Sequence, residues 1–227
     1  MRNNLIGISG KMGSGKDEVF KIIQELTSNK FQNRKFADQL KDTVCMWIGC
    51  SREQLEDRDF KESPLGEMWD HYVVTSSYGA PDEIYLEDPG MVHSRKRQMT
   101  PRLMLQLLGT EAGREIIHPN IWVNALFADF KPLDPEKAFS NGDVLDYTDC
   151  TFPNWVITDC RFPNEAEAIM ERVGIVIRIS RGDGNTGTHA SETALDDYTF
   201  DYHIDNNGTL DDLKKNVEWI LKTEGII

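Results

Sequence analysis

The spacing of apolar positions changes along the chain, and each change marks an element. Leu5-Ile6-Gly7-Ile8-Ser9 is a short apolar run, as expected of a strand buried on both faces. Val19, Phe20, Ile22, Ile23 and Leu26 then recur at helical spacing, which predicts a helix from about Lys16 to Thr27. A brief strand is expected at Arg34-Lys35-Phe36, followed by a helix to about Gly49 carrying Leu40, Val44, Trp47 and Ile48. Ser51-Arg52-Glu53-Gln54 has the pattern of a capping box opening a short helix. Thr100-Pro101 starts a longer helix to about Ile116, with Thr as the cap and Pro in the first turn. Pro119-Asn120-Ile121-Trp122 opens another, through Phe130. Trp155-Val156-Ile157-Thr158-Asp159 and Ile175-Val176-Ile177-Arg178-Ile179-Ser180 read as buried parallel strands, and Tyr202-His203-Ile204-Asp205 as a last short one. Pro163 starts a helix after the first of these. Asp205-Asn206-Asn207-Gly208 turns into a final amphipathic helix with Leu210, Leu213, Val217, Ile220 and Leu221.

Two stretches lack periodicity. From about 57 to 99, prolines, glycines and the aromatic residues Trp69, Tyr72, Tyr78 and Tyr85 suggest an inserted lobe that packs. Residues 131 to 153, rich in Asp, read as an exposed loop. The whole chain of 227 residues reads as one α/β domain, in which strands alternate with helices outside these stretches.

The candidate chemistry starts at the first strand–helix junction. Gly10-Lys11-Met12-Gly13-Ser14-Gly15-Lys16-Asp17 lies between them, as a phosphate-binding loop must. Glycines let successive N–H groups turn inward around a phosphate chain, and the new helix adds its positive end. Lys16 is placed to reach the terminal phosphates. Asp17 stands where a Ser or Thr usually binds Mg²⁺; its carboxylate is able to hold that cation directly or through water. Asp159, at a strand end, is the second candidate for the metal shell.

Further polar groups fall at helix starts and strand ends, where open α/β sheets bind ligands. Asp38 and Lys41 lie on the first turn of the second helix, and Arg161 and Arg181 follow strands. At 100° per residue, Arg102, Gln106, Gly109 and Gly113 share one stripe of a helix that is otherwise apolar, with Arg114 nearby. Arg in such a place needs an anionic partner, either an internal carboxylate or a phosphate. The polar, glycine-rich segment from Arg181 to about 198 suits a lid.

Composition narrows the class. A net charge of −13 argues against general binding to nucleic acid or anionic membranes, but not against nucleotides. Screening over about 8 Å leaves a local basic pocket in control of phosphate binding. No apolar run reaches the length of a membrane span, and because Met1-Arg2-Asn3-Asn4 leads straight into the first strand, no signal segment is expected. Cys45, Cys50, Cys150 and Cys160 fit neither a zinc nor a disulfide framework, so free thiols in a cytoplasmic setting are expected.

The chain resembles the deoxynucleoside monophosphate kinases of bacteriophages. The residues that carry the resemblance are Gly15-Lys16-Asp17, Phe36-Ala37-Asp38 with Leu40-Lys41, and Thr100-Pro101-Arg102 with Leu105-Gln106-Leu107-Leu108-Gly109-Thr110-Glu111 and Gly113-Arg114. Trp122, Ile157-Thr158-Asp159, Arg161-Phe162-Pro163-Asn164-Glu165 and His189 with Ser191-Glu192 extend it over nearly the whole chain. It implies a P-loop kinase fold with a five-stranded parallel sheet flanked by helices. It also implies transfer of the γ-phosphoryl of ATP, with Mg²⁺, to a deoxynucleoside 5′-monophosphate. It places residues 10–17 at ATP, and Phe36, Asp38, Lys41, Arg102, Gln106, Thr110, Arg114, Trp122 and Arg161 at the monophosphate. Lys16, Arg102, Arg161 and Arg181 would neutralise the charge in flight. The resemblance also permits a homodimer, and a host-cell cytoplasmic location if the gene is a phage's. Glu18 stands where the family often has Thr, which leaves the hydroxyl near the metal to Ser14 or to the lid. Kinases of dephospho-coenzyme A or phosphomevalonate type, and a non-catalytic nucleotide-binding module, are the competing readings.

Overall fold

The computed structural model describes residues 4–75, 93–141, 144–182 and 193–227. The chain divides into two compact units, Met1–Gln39 with Asn120–Ile227, and Leu40–Pro119.

The first unit is built on a five-stranded sheet. Strand β1 (Leu5–Gly10) lies at its centre, between β7 (Trp155–Cys160) and β8 (Ile175–Ser180); β2 (Gln32–Arg34) and β9 (Tyr202–Asp205) are the edges. Every pairing is parallel. Parallel neighbours need crossover connections, so both faces are covered and the central strands are largely aliphatic. The period of two sorts their side chains. Ile6, Ile8, Val156, Ile175, Ile177 and Ile179 pack against α1 (Lys16–Leu26) and α8 (Leu210–Thr223). Leu5, Trp155, Ile157 and Val176 face α6 (Ile121–Phe127) and α7 (Pro163–Glu171). The same parity sends Ser9 and Arg178 toward the second face, whereas β7 shifts register against β1 between Gly7 and Ser9, which pairs Cys160 with Ser9 and leaves Asp159 at the irregularity.

Two expectations for this unit need correction. The second strand forms two residues before the expected Arg34-Lys35-Phe36, and Phe36 instead enters the core against Phe127, with ring centroids 6.0 Å apart. The 131–153 stretch is not a bare loop. There β5 (Phe139–Asn141) and β6 (Val144–Asp146) pair antiparallel, and Phe152 stacks on Phe130 at 5.1 Å. Strands of three residues are too short to show an alternation with a period of two.

The second unit holds most of α2 (Asp38–Ile48), then α3 (Arg52–Glu56) and α4 (Arg58–Glu62). Ser51 and Gln54 form the expected capping box, and Asp57 caps α4 by accepting from the Phe60 amide. Val44, Cys45, Leu55 and Met104 make its core. The aperiodic stretch from 57 to 99 also contains two strands paired antiparallel, β3 (His71–Thr75) with β4 (His93–Arg97). Tyr78 and Tyr85 lie outside the described residues, as does the greater part of the expected lid with His189, Ser191 and Glu192.

The helix from Pro101 departs from its expected form. It is α-helical only to Gln106 (α5, Pro101–Gln106) and continues over Leu107–Ile117 with wider i→i+5 turns. A wider turn changes the angular step, so a stripe drawn at 100° per residue does not survive. Gly109 and Gly113 are buried, whereas Arg102, Gln106 and Thr110 are exposed, and Ile116 and Ile117 also reach the surface. The expectation of a buried helix with Arg102 and Gln106 on the glycine stripe is therefore incorrect.

Candidate active site

The loop at residues 10–17 has the backbone that phosphate binding requires. Gly13 and Gly15 take φ of +79° and +105°, conformations that other residues adopt only with strain. A Cβ on Gly10 would lie 2.6 Å from the Ile179 carbonyl oxygen and also strike the Ser14 hydroxyl, so glycine is required there for close approach to β8. The first turn of α1 follows at once and brings the positive end of the helix to the loop. Lys16 folds back over the loop and donates from Nζ to the carbonyls of Gly10 at 2.5 Å and Lys11 at 2.8 Å. An ammonium gathered by carbonyls in this way is poised for exchange onto phosphate oxygens. The Ser14 side chain is buried, and its hydroxyl has no hydrogen-bond partner among the described residues. A buried hydroxyl left unsatisfied is costly, and a hydroxyl in this loop is a fitting ligand for a metal ion or a phosphate. Asp17 is exposed on the first turn.

A cavity of about 450 Å³ opens beside the loop. Lys11, Ser14, Arg178, Arg181 and the aromatic residues Tyr198 and Phe200 line it. Arg178 is anchored in its wall. It donates to the Ser9 hydroxyl at 3.0 Å and to Asp196 at 2.9 Å, and Asp196 lies 3.9 Å from the Lys11 ammonium. Neither Arg178 nor Asp196 is among the candidates drawn from the sequence. A cation inside the run Ile175-Val176-Ile177-Arg178-Ile179 is the signal that could have found the first. Asp196 carries none, because its partner is fixed only by the return of the chain past β8.

Asp159 lies near the end of β7 with both oxygens engaged. Oδ1 accepts from the Phe36 amide at 2.8 Å and Oδ2 from the Ala37 amide at 3.0 Å. Burial pushes its carboxyl above the usual carboxylate range, and the two amides and the nearby Arg161 charge only partly offset this. The bonds tie the end of β7 to the start of α2, where Asp38 accepts from the Lys35 amide at 3.1 Å. Arg161 is exposed just past β7, its amide held by Glu165, which is itself buried. Phe36 and Trp122 are 2% and 6% exposed, so their rings act as packed supports.

In the second unit, two of the candidates, Lys41 and Arg102, meet carboxylates. Lys41 donates to Glu56 at 2.5 Å, Lys61 reaches the other oxygen of Glu56 at 3.1 Å, and Arg102 pairs with Glu62. Burial alone would raise the Glu56 carboxyl, but the hydrogen bonds from Lys41 and Lys61 outweigh it and hold it at about 2. A depressed carboxyl adds stability that is present above its ordinary value of about 4.3 and is lost as pH falls toward about 2. Glu56 is half exposed, so solvent screening keeps the effect small. Glu56→Gln should therefore be less stable than wild type by under about 1 kcal/mol at neutral pH. Denaturant unfolding at a series of pH values should show that gap closing as pH falls below about 4.

Among the described residues no three His, Cys, Asp or Glu side chains gather as a metal site, and no helix is long and apolar enough to cross a membrane. Residues 84–217 match the family described as deoxynucleotide monophosphate kinase. The chain belongs to that family. The matched span begins after residues 10–17. The deoxynucleoside-5′-monophosphate kinase of Escherichia phage T5 is 29% identical in an alignment of 196 residues that covers 74% of this chain and 72% of that one. A protein of Acanthamoeba polyphaga mimivirus that carries the deoxynucleotide monophosphate kinase name is 28% identical over 219 residues, 94% of this chain and 93% of the other.

Proposed function

We propose that this member of the deoxynucleotide monophosphate kinase family transfers the γ-phosphoryl group of ATP to a deoxynucleoside 5′-monophosphate. The observation that carries the reading is the loop of the first unit. It combines two left-handed glycines, a lysine held by loop carbonyls that a phosphate would replace, and a buried hydroxyl without a partner among the described residues. Phosphoryl transfer between two anions needs positioning and charge neutralisation more than acid–base chemistry. Residues 10–17 hold the ATP phosphates, with Lys16 on the terminal ones. Mg²⁺, when bound, would supply neutralising charge for the phosphates, and such sites use few protein ligands. Ser14, Asp17 and Asp159 are the residues that would hold it, the Ser14 hydroxyl being the feature of this loop that fits best. Arg161 and Arg181 add positive charge at strand ends. By the family resemblance, the acceptor falls to Asp38, Lys41, Arg102, Gln106, Thr110 and Arg114, with Phe36 and Trp122 supporting from the core. The acceptor is already an anion, so Asp38 orients rather than deprotonates.

A coupled ADP-release assay with ATP and Mg²⁺ tests this. The panel holds dAMP, dCMP, dGMP, dTMP, 5-hydroxymethyl-dCMP, the ribonucleotides, dephospho-coenzyme A and phosphomevalonate. Turnover on a deoxymonophosphate supports the proposal; turnover on a non-nucleotide alone, or ATP binding with no turnover, overturns it. Arg102 is checked separately. Its pair with Glu62 is half exposed, so Arg102→Ala should leave stability within about 1 kcal/mol of wild type. The lost charge-assisted bonds should raise KM for the monophosphate by about tenfold or more, with KM for ATP changed by less than about twofold. Equal changes in both constants would remove Arg102 from the acceptor site.

A further inference from the structure

The turn after β9 touches the phosphate loop at one point. The Asn206 side-chain Nδ2 donates to the Ser14 carbonyl at 2.8 Å. The turn is itself tied to β8 and to the residues just past it. The Asn206 amide donates to the Ser180 carbonyl at 2.8 Å, and Asn207 Oδ1 accepts from the Gly182 amide at 2.6 Å. Asp205 in turn accepts from the Asn207 amide at 3.1 Å. The contact is close: a Cβ on Gly15 would strike Asn206 Nδ2.

We propose that Asn206 is a positioning residue that fixes the orientation of the Ser14–Gly15 peptide in the phosphate loop. The proposal rests on the reading of residues 10–17 as the ATP phosphate site. In a planar trans peptide the C=O and the following N–H point in opposite directions. Holding the Ser14 oxygen on the Asn206 side therefore aims the Gly15 N–H away from it. Gly15, at φ +105°, has no Cβ to resist rotation of the peptide before it. Without the amide donor that peptide is free to turn, and a turned peptide presents a carbonyl oxygen where a phosphate oxygen must sit. The brace from β8 keeps Asn206 in register, so the sheet edge, not the loop, sets the loop's polarity.

The test compares wild type, Asn206→Ala, Asn206→Asp and Lys16→Ala. ATP with Mg²⁺ is titrated calorimetrically without acceptor, and KM is measured for ATP and for the acceptor. Asn206→Ala should weaken ATP binding about tenfold, equivalent to about 1.4 kcal/mol. Asn206→Asp should weaken it more, because a carboxylate oxygen then faces the Ser14 carbonyl. KM for the acceptor should move by less than about twofold in both. A purely structural role would lower the melting temperature while leaving the ratio of ATP to acceptor constants unchanged, and that result overturns the proposal. So does ATP affinity within about twofold of wild type for Asn206→Asp with a native circular dichroism spectrum. If Asn206→Ala does not fold, Asn206→Asp, which keeps the side-chain size, carries the test. ATP binding lost in Lys16→Ala but kept in Asn206→Asp would overturn the role of Asn206 and leave the phosphate-site reading intact. No ATP binding by wild type would overturn both.

Discussion

Lys16→Ala should lower kcat by about 10²–10³-fold and leave the fold intact. One donor aimed at developing charge in a water-poor site contributes on that scale. The stability cost should be small, because Lys16 Nζ donates to the Gly10 and Lys11 carbonyls at the edge of the loop, and both carbonyls are able to turn to water. Thermal melting and steady-state kinetics on one preparation separate the two effects. A fall in melting temperature with kcat unchanged would mean that the lysine is a loop fastener and not a phosphate ligand.

Asp159→Ala should affect both turnover and stability. The Phe36 and Ala37 amides each lose their acceptor, and Phe36 is buried. Orphaned amides cost about 1–3 kcal/mol each, with the lower end apt for the partly accessible Ala37. A total of about 2–3 kcal/mol in a chain of this size lowers the melting temperature by roughly 5–10 °C. The pH dependence has a definite sign. Burial raises the Asp159 carboxyl in the folded protein, so its contribution to stability is largest in acid and shrinks as pH climbs from about 3.9 through the raised value. The gap between wild type and Asp159→Ala should therefore narrow in that direction. Asp159→Asn distinguishes brace from metal residue. It keeps one acceptor, so it should melt above the alanine variant. If Asp159 also serves the Mg²⁺ shell, the Asp159→Asn variant will need more Mg²⁺ for half-maximal rate. An unchanged Mg²⁺ requirement would leave Asp159 as a brace alone.

Arg102 and Asp159 show why local reading fails at different depths. Asp159 is recognisable because a strand-end carboxylate has a definite place after a phosphate loop. Its amide partners are not, since they lie 123 and 122 residues away along the chain. Arg102 falls on a buried stripe only if α-helical spacing runs through to Ile116. The i→i+5 turns after Gln106 break that assumption, and no residue in Leu107–Ile117 announces them. The glycines of the stripe are buried as expected, and Arg102 is not.

Local and periodic features were legible in the residues themselves. The three inner strands of the central sheet show as aliphatic runs, the flanking helices as spacing and caps, and the loop at residues 10–17 as glycines whose positive φ few other residues tolerate. These depend on interactions within a few residues, so they are written where they act. Folding in three dimensions was needed to set which strands are neighbours, that Arg178 meets Asp196, and that Asn206 reaches Ser14 across 192 positions. Those contacts follow from how crossover connections stack a parallel sheet. Burial of the sheet's two faces, rather than any adjacent residue, brings their partners together.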